Sequence, residues 1–194
     1  MQARRDPNEA RQRLIEIVRR KSFRSGEVFK LASGKTSTLY FNMKPALLDP
    51  EGAMLAATLI LDLIAGDNAE LVGGLELGAV PIAASVAAVS AMQGRPVAGF
   101  LVRKQAKEHG TQSLIEGLVK GETLAGRRVV IVEDVTTTGG SAVKAAGVVR
   151  AEGATVLRVV SVLDRQEGAD EAFRTAGLAF SSVLRAEDFT GPRP

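Results

Sequence analysis

Residues 129–141 read Val-Val-Ile-Val-Glu-Asp-Val-Thr-Thr-Thr-Gly-Gly-Ser, a concentration of acids, hydroxyls and glycines beside an apolar run. Val129 to Val132 are four β-branched residues, which predict a strand buried on both faces, as in a parallel sheet. The run stops at two carboxylates, Glu133 and Asp134. Val135, Thr136, Thr137 and Thr138 follow, then Gly139, Gly140 and Ser141. An apolar helical pattern begins at Ala142 and continues through Ala145, Ala146 and Val149. Phosphate is bound by free backbone amides, short hydroxyl donors and the positive end of a helix dipole. The threonines and Ser141 offer the hydroxyls, and glycines let a backbone approach an anion. The two acids repel phosphate and suit sugar hydroxyls, or a metal ion. Together these parts describe a phosphorylated sugar. A polar strand–turn–helix without a ligand is the plainer alternative, but two acids closing a buried strand argue for a use.

A second group is Arg103-Lys104-Gln105-Ala106-Lys107-Glu108-His109-Gly110-Thr111, which packs three cations and the chain's one histidine into seven residues. Taken singly, each lysine reads as a solvated charge and His109 as incidental. Clustered on a long polar loop beside a phosphate-binding rim, they suit a second anion. His109 is a poor metal ligand candidate, because no other His or Cys exists to complete a site.

The 129–141 layout resembles the phosphoribosyl pyrophosphate (PRPP) signature of the type I phosphoribosyltransferases, with Glu133 where Asp is commoner. The 103–110 segment is similar to the Arg-Lys-x-x-Lys-x-His-Gly loop of the orotate phosphoribosyltransferases within that group. Phe29–Asn42, FKLASGKTSTLYFN, resembles the same family's N-terminal hairpin, and Arg165 stands where the family places an arginine near orotate. The resemblance implies transfer of the phosphoribosyl group of PRPP to orotate, yielding orotidine 5′-monophosphate and pyrophosphate with Mg²⁺ as cofactor. It implies PRPP binding by Arg103, Lys104, Lys107, His109, Glu133, Asp134, Val135, Thr136, Thr137, Thr138, Gly139, Gly140 and Ser141. Lys104, Lys107, His109 and Asp134 are the catalytic candidates, and Tyr40, Phe41, Thr137 and Arg165 the orotate candidates. No direct protein ligand to the metal is implied; Mg²⁺ is carried by PRPP and water. Two positions depart from the family pattern. Ala32 and Gly78 stand where many members carry lysine.

These groups need a scaffold. Asp6-Pro7-Asn8-Glu9 is a helix start, with Asp as cap and Pro in the first turn. Ala10, Leu14, Ile17 and Val18 make its apolar stripe, and Ser25-Gly26 is expected to end it. Val28–Leu31 and Thr38–Met43 predict two strands of a hairpin. Asp49-Pro50-Glu51 starts a second helix running to about Ala65. Strands are then expected at Glu70–Gly73, Val97–Val102, Leu118–Thr123, Val129–Val132, Val156–Leu163 and Leu178–Leu184. Helices are expected at Pro81–Met92, from Ala142 onward and at Gly168–Thr175. This alternation predicts an α/β domain with a central parallel sheet flanked by helices. The resemblance makes it the type I phosphoribosyltransferase fold, with an N-terminal helix-and-hairpin hood of about 1–48, joined by the C-terminal strand, over a core of about 49–176. In such a sheet the loops at 74–80, 103–117, 133–141 and 164–168 should meet on the carboxyl rim.

The chain of 194 residues is 45% hydrophobic and only 4% aromatic, which fits one domain with an aliphatic core. It has no cysteine, no secretory signal and no apolar run of the roughly 18 residues a membrane span needs. The reading is therefore a cytoplasmic protein without membrane contact. The net charge of +3 is concentrated at the N-terminus. A basic first helix raises nucleic acid as a partner, but no interleaved aromatics are there to stack bases, and a solvated face is preferred. No Ser–His–Asp elbow, Walker A motif or G-x-G-x-x-G appears, which removes the main support for hydrolase, NTPase and dinucleotide readings. Two rivals stand: a phosphoribosyltransferase for a purine base, and a non-catalytic PRPP sensor that binds nucleic acid. By family resemblance the partners are PRPP, orotate and a second copy of the chain, a homodimer sharing the cationic loop between subunits.

Overall fold

Asp6 caps the first helix, α1 (Pro7–Lys21), by accepting hydrogen bonds from the amides of Asn8 and Glu9 at 2.8 and 3.3 Å. This computed structural model describes residues 6–30, 36–105 and 113–190. Ala10, Leu14, Ile17 and Val18 are buried on one face of α1, as their spacing requires. The helix stops at Lys21, four residues before the expected Ser25-Gly26. Those two residues instead lie in strand β1 (Phe23–Lys30), at an irregularity in its pairing with β2 (Thr36–Phe41) between Ser25 and Phe29. Gly26 has φ +93°, which a bulge needs as much as a helix end does, so the same residue type misdirected the boundary. The hairpin itself is antiparallel, as expected.

A short helix α2 (Lys44–Leu47) precedes α3 (Pro50–Leu63), whose cap Asp49 accepts from the amides of Glu51 and Gly52. Beyond it the chain alternates through β3 (Leu71–Leu75), α4 (Ala79–Met92), β4 (Ala98–Val102), β5 (Ile115–Glu116), β6 (Arg128–Thr136), α5 (Gly140–Ala151), β7 (Thr155–Asp164), α6 (Ala169–Thr175), β8 (Phe180–Arg185) and α7 (Glu187–Thr190). The central sheet has the order β5-β4-β3-β6-β7-β8, parallel except for β5, which runs antiparallel to β4. Val130 and Val132 of β6 pack toward α1, α3 and α4, whereas Val129 and Ile131 pack toward α5 and α6. That two-sided burial is what the β-branched run demanded.

Two expectations are corrected. The extra strand expected at Leu118–Thr123 is absent; the short strand is β5, because Gly117 and Gly121, with φ +95° and +92°, break extended pairing after Glu116. Strand β6 does not stop at Val132 either. It carries Glu133 and Asp134 inside the sheet and pairs with β7 as far as Thr136 opposite Asp164. The last strand, grouped in the sequence with the hood, hydrogen-bonds to β7 as the edge of the central sheet. The hood reaches it through Arg11, whose guanidinium donates to the Val183 carbonyl and pairs with Asp188 at 2.6 Å. No helix among the described residues is long and apolar enough to cross a membrane.

Strands β3, β4, β6 and β7 point the same way and end at Leu75, Val102, Thr136 and Asp164. Their following loops therefore share one rim, as the alternation implied.

Candidate active site

Glu133 and Asp134 arrive on that rim inside a strand, where Glu133 stands opposite Ser161 of β7 and pairing with β7 fixes the backbone under them. Glu133 is 8% exposed, and its Oε2 is buried with no hydrogen-bond partner among the described residues. Burial, reinforced by the charge of Asp134, pushes the Glu133 carboxyl up to about 8; the Lys104 charge acts in the opposite direction. Asp134 is anchored differently. Its Oδ1 accepts the Val135 amide at 2.9 Å, and its Oδ2 lies 3.7 Å from Nζ of Lys44. One carboxyl with an unsatisfied oxygen beside one held by a cation can receive hydroxyl donors from a ligand.

The turn after the acids is built for an anion. Thr136 is buried, with Oγ1 unpartnered among the described residues, while its carbonyl accepts the Arg165 amide at 2.9 Å. Thr137 is half-buried; Thr138, Gly140 and Ser141 are exposed. Gly139 has φ +82°, and a β-carbon there would press on the Phe173 ring, so conformation and packing both call for glycine. No side chain caps the N-terminus of α5. Its first amides are left to an anionic ligand, with the helix dipole behind them.

The loop after β3 closes against this pair. The Glu76 amide donates to the Val102 carbonyl at 2.9 Å, and the Glu76–Leu77 peptide is cis. Gly78 abuts Asp134: a β-carbon there would overlap the carboxylate. A lysine at residue 78 would have to displace the Asp134 carboxylate. The other departure, Ala32, lies outside the described residues, as do Lys107 and His109.

Of the cationic segment, Arg103 and Lys104 are placed. Arg103 serves the stem of its own loop: its amide donates to the Leu114 carbonyl at 2.8 Å, Nε to the Gln105 carbonyl at 3.2 Å, and its guanidinium pairs with Glu116 at 3.3 Å. Lys104 follows it, and its amide donates to Oε1 of Glu76 at 2.8 Å.

The residues expected beside orotate divide. Arg165 is 5% exposed and donates to Ser37 Oγ at 3.0 Å while pairing with Glu167 at 2.7 Å, so it joins the hairpin to the end of β7. Tyr40 stacks on Phe29 with ring centroids 5.2 Å apart and keeps an exposed face. Phe41 is buried against Phe23 and Phe189, which is plain core packing. Consecutive strand residues face opposite ways, so the pair cannot line one ligand together from that strand.

Sequence reasoning did not single out Lys44, Glu76, Ser37 or Glu167. Lys44, Glu76 and Ser37 act through contacts between segments far apart in the chain, and Glu167 pairs with its near neighbour Arg165. A cleft of about 710 Å³ opens at the amino ends of β3, β4 and β6. Two of its arginines are engaged with main-chain carbonyls near the end of α3, Arg95 with Ala65 and Arg128 with Asn68, and Arg127 pairs with Glu70. The rim with the acids, hydroxyls and free amides is where the chemistry can occur.

Comparison with known proteins points to one family. Residues 46–175 match the phosphoribosyl transferase domain model. The chain is 56% identical over 180 residues to the orotate phosphoribosyltransferase of Bradyrhizobium diazoefficiens, covering 93% of this chain and 96% of that protein. It is 40% identical to the orotate phosphoribosyltransferase of Nostoc sp., covering 94% of this chain and 86% of that one. Among solved structures, the orotate phosphoribosyltransferase of Mycobacterium tuberculosis H37Rv in complex with PRPP superposes with a TM-score of 0.77 at 37% identity, covering 92% and 98% of the two chains.

Proposed function

The chain belongs to the phosphoribosyltransferase family, and from that premise we propose that it transfers the 5-phosphoribosyl group of PRPP to orotate, giving orotidine 5′-monophosphate and pyrophosphate in pyrimidine synthesis. One juxtaposition carries this reading. The Glu133–Asp134 pair, the uncapped N-terminus of α5 and the root of the cationic loop at Lys104 stand on one rim. A phosphorylated sugar with diphosphate at its other end needs all three.

The free amides of α5 and the hydroxyls of Thr137, Thr138 and Ser141 receive the 5′-phosphate. Glu133 and Asp134 accept hydrogen bonds from the ribose hydroxyls and fix C1 relative to the incoming base. A ring nitrogen of orotate gives up its proton to solvent and forms the C1–N bond while the C1–O bond breaks, and the bonding pair leaves with diphosphate. Negative charge therefore grows on the leaving group, and a preorganised cation there is worth about 2.7–4 kcal/mol of barrier. Lys104, joined by Lys107 and His109, supplies that charge. Arg165 offers its guanidinium to the orotate carboxylate, and Tyr40 its exposed ring face to the pyrimidine.

Mg²⁺ suits the donor set. This ion keeps several waters and is held by one or two carboxylates together with substrate phosphates. The two rim carboxylates, one with an unpartnered oxygen, fit that role through water. When bound, the ion would add positive charge beside the diphosphate. We further infer a homodimer that shares the cationic loop between subunits, and a cytoplasmic enzyme with no nucleic-acid partner. The last point is supported by α1, where Arg11, Arg13 and Lys21 are engaged with Asp188, Glu51 and Asp49.

The test is a panel of bases with PRPP and Mg²⁺, following orotate consumption by absorbance. Turnover of orotate and none of adenine or hypoxanthine is expected. Turnover of a purine base without orotate would replace this reading with a purine transferase.

A further inference from the structure

Glu76 is a carboxylate in contact with the backbone of Lys104, which on the reading above meets an anionic leaving group. Such a charge opposes diphosphate binding unless it does something else. Its own amide donates to Val102 at 2.9 Å, prolonging the β3–β4 ladder by one bond past Leu75 opposite Val102. Its Oε1 accepts the amide of Lys104 at 2.8 Å, where the cationic loop leaves β4. One residue earlier, the Arg103 amide donates to the Leu114 carbonyl at 2.8 Å and closes the stem of that loop. Two residues beyond Glu76, Gly78 rests on the Asp134 carboxylate. Residue 76 thus connects the acidic pair to the root of the cationic segment through one short loop.

We propose that Glu76 is a positioning residue, whose carboxylate holds the Lys104 amide and so sets the direction in which Lys104 approaches the diphosphate. The hydrogen bond, not the charge, does this work. A carboxylate accepting a backbone amide is also partly neutralised toward the ligand. The proposal rests on the transfer reaction given above, in which Lys104 meets the leaving group.

Three variants separate the possibilities. Glu76→Ala removes the acceptor, Glu76→Asp keeps the charge but withdraws it by one methylene, and Glu76→Gln keeps an acceptor at the same reach without the charge. Each is measured for kcat, KM for PRPP, KM for orotate, PRPP affinity by calorimetry and thermal midpoint, beside the wild type. The expected result is a fall of about tenfold or more in kcat/KM for PRPP with Glu76→Ala and Glu76→Asp. Glu76→Gln should recover most of that loss. KM for orotate and the thermal midpoint should hardly move. The proposal is overturned if Glu76→Ala and Glu76→Asp behave as wild type, if Glu76→Gln is as impaired as they are, or if loss of activity simply tracks loss of folding. Failure of the wild type to consume orotate would count against the transfer reading alone; the ratio of PRPP affinities among the variants would still decide the role of Glu76.

Discussion

Gly78 lies directly on the carboxylate of Asp134, with no room between them for a β-carbon. Asp134 cannot retreat freely, because the Val135 amide holds its Oδ1 and Lys44 stands 3.7 Å from its Oδ2. Gly78→Ala is therefore expected to turn Asp134 away from the ribose. A misplacement near 1 Å costs about 10²-fold in rate. The check is kcat/KM for PRPP beside the thermal midpoint. Full activity in Gly78→Ala would show that the carboxylate adjusts without consequence.

The buried Glu133 predicts an unusual pH dependence of stability. Its carboxyl moves from an ordinary value of 4.5 to about 8 on folding, chiefly through burial. Between those values the folded chain keeps a proton that the unfolded chain has lost. Stability from this group is thus fully present below pH 4.5 and declines as pH rises toward 8, where the whole cost of a buried charge is reached. Glu133→Gln should match wild type near the low end of the window and exceed it near the high end, by on the order of a few kcal/mol. Urea unfolding from pH 5 to 9 measures this. Parallel curves for the two proteins would be inconsistent with it. Ribose hydroxyls favour the ionised carboxyl, so PRPP binding at neutral pH should also release a proton, visible as buffer-dependent binding heat.

Arg165 has both a structural and a ligand role in this picture. It is nearly buried, and its guanidinium reaches Ser37, the Leu39 carbonyl and Glu167. Arg165→Ala should destabilise the fold by roughly 2 kcal/mol, the range for hydrogen bonds to a charged group. It should also raise KM for orotate far more than KM for PRPP. Equal changes in the two KM values would assign the residue to the hood–core junction only.

Tyr40 and Phe41 should part company under substitution. Phe41→Ala removes a ring packed on Phe23 and Phe189 and is expected to cost about 3–5 kcal/mol. Tyr40→Ala opens no core, so its effect should fall on KM for orotate with under about 1 kcal/mol lost. Denaturation curves and KM values for both variants check this. A large stability loss at Tyr40 with unaltered KM would reverse the assignment.

Sharing of the cationic loop between subunits predicts complementation. A Lys107→Ala chain mixed with a Glu133→Ala/Asp134→Ala chain should regain activity from one restored site per mixed dimer. No recovery at a confirmed 1:1 mixture, on the order of equal subunit amounts by mass spectrometry, would place loop and acids in the same subunit.

Sequence alone determined the parts whose logic is consecutive. The run from Val129 to Ser141 announces a buried strand, an acidic pair, an anion-binding turn and a helix, because each is encoded by adjacent residue types. Helix caps at Asp6 and Asp49 were legible for the same reason, and the shared rim followed from strand alternation. Tertiary structure decided what depends on distant segments meeting. Lys44 beside Asp134, Glu76 beneath the Lys104 amide and Arg165 tied to Ser37 have no local pattern to betray them. Gly26 shows the other limit: positive φ serves a helix end and a β-bulge equally, and only pairing with β2 chooses. Glu133 shows the deepest one. Its identity was plain from the chain, but its lifted proton affinity arises from the packing that removes water around it, and packing belongs to the folded molecule.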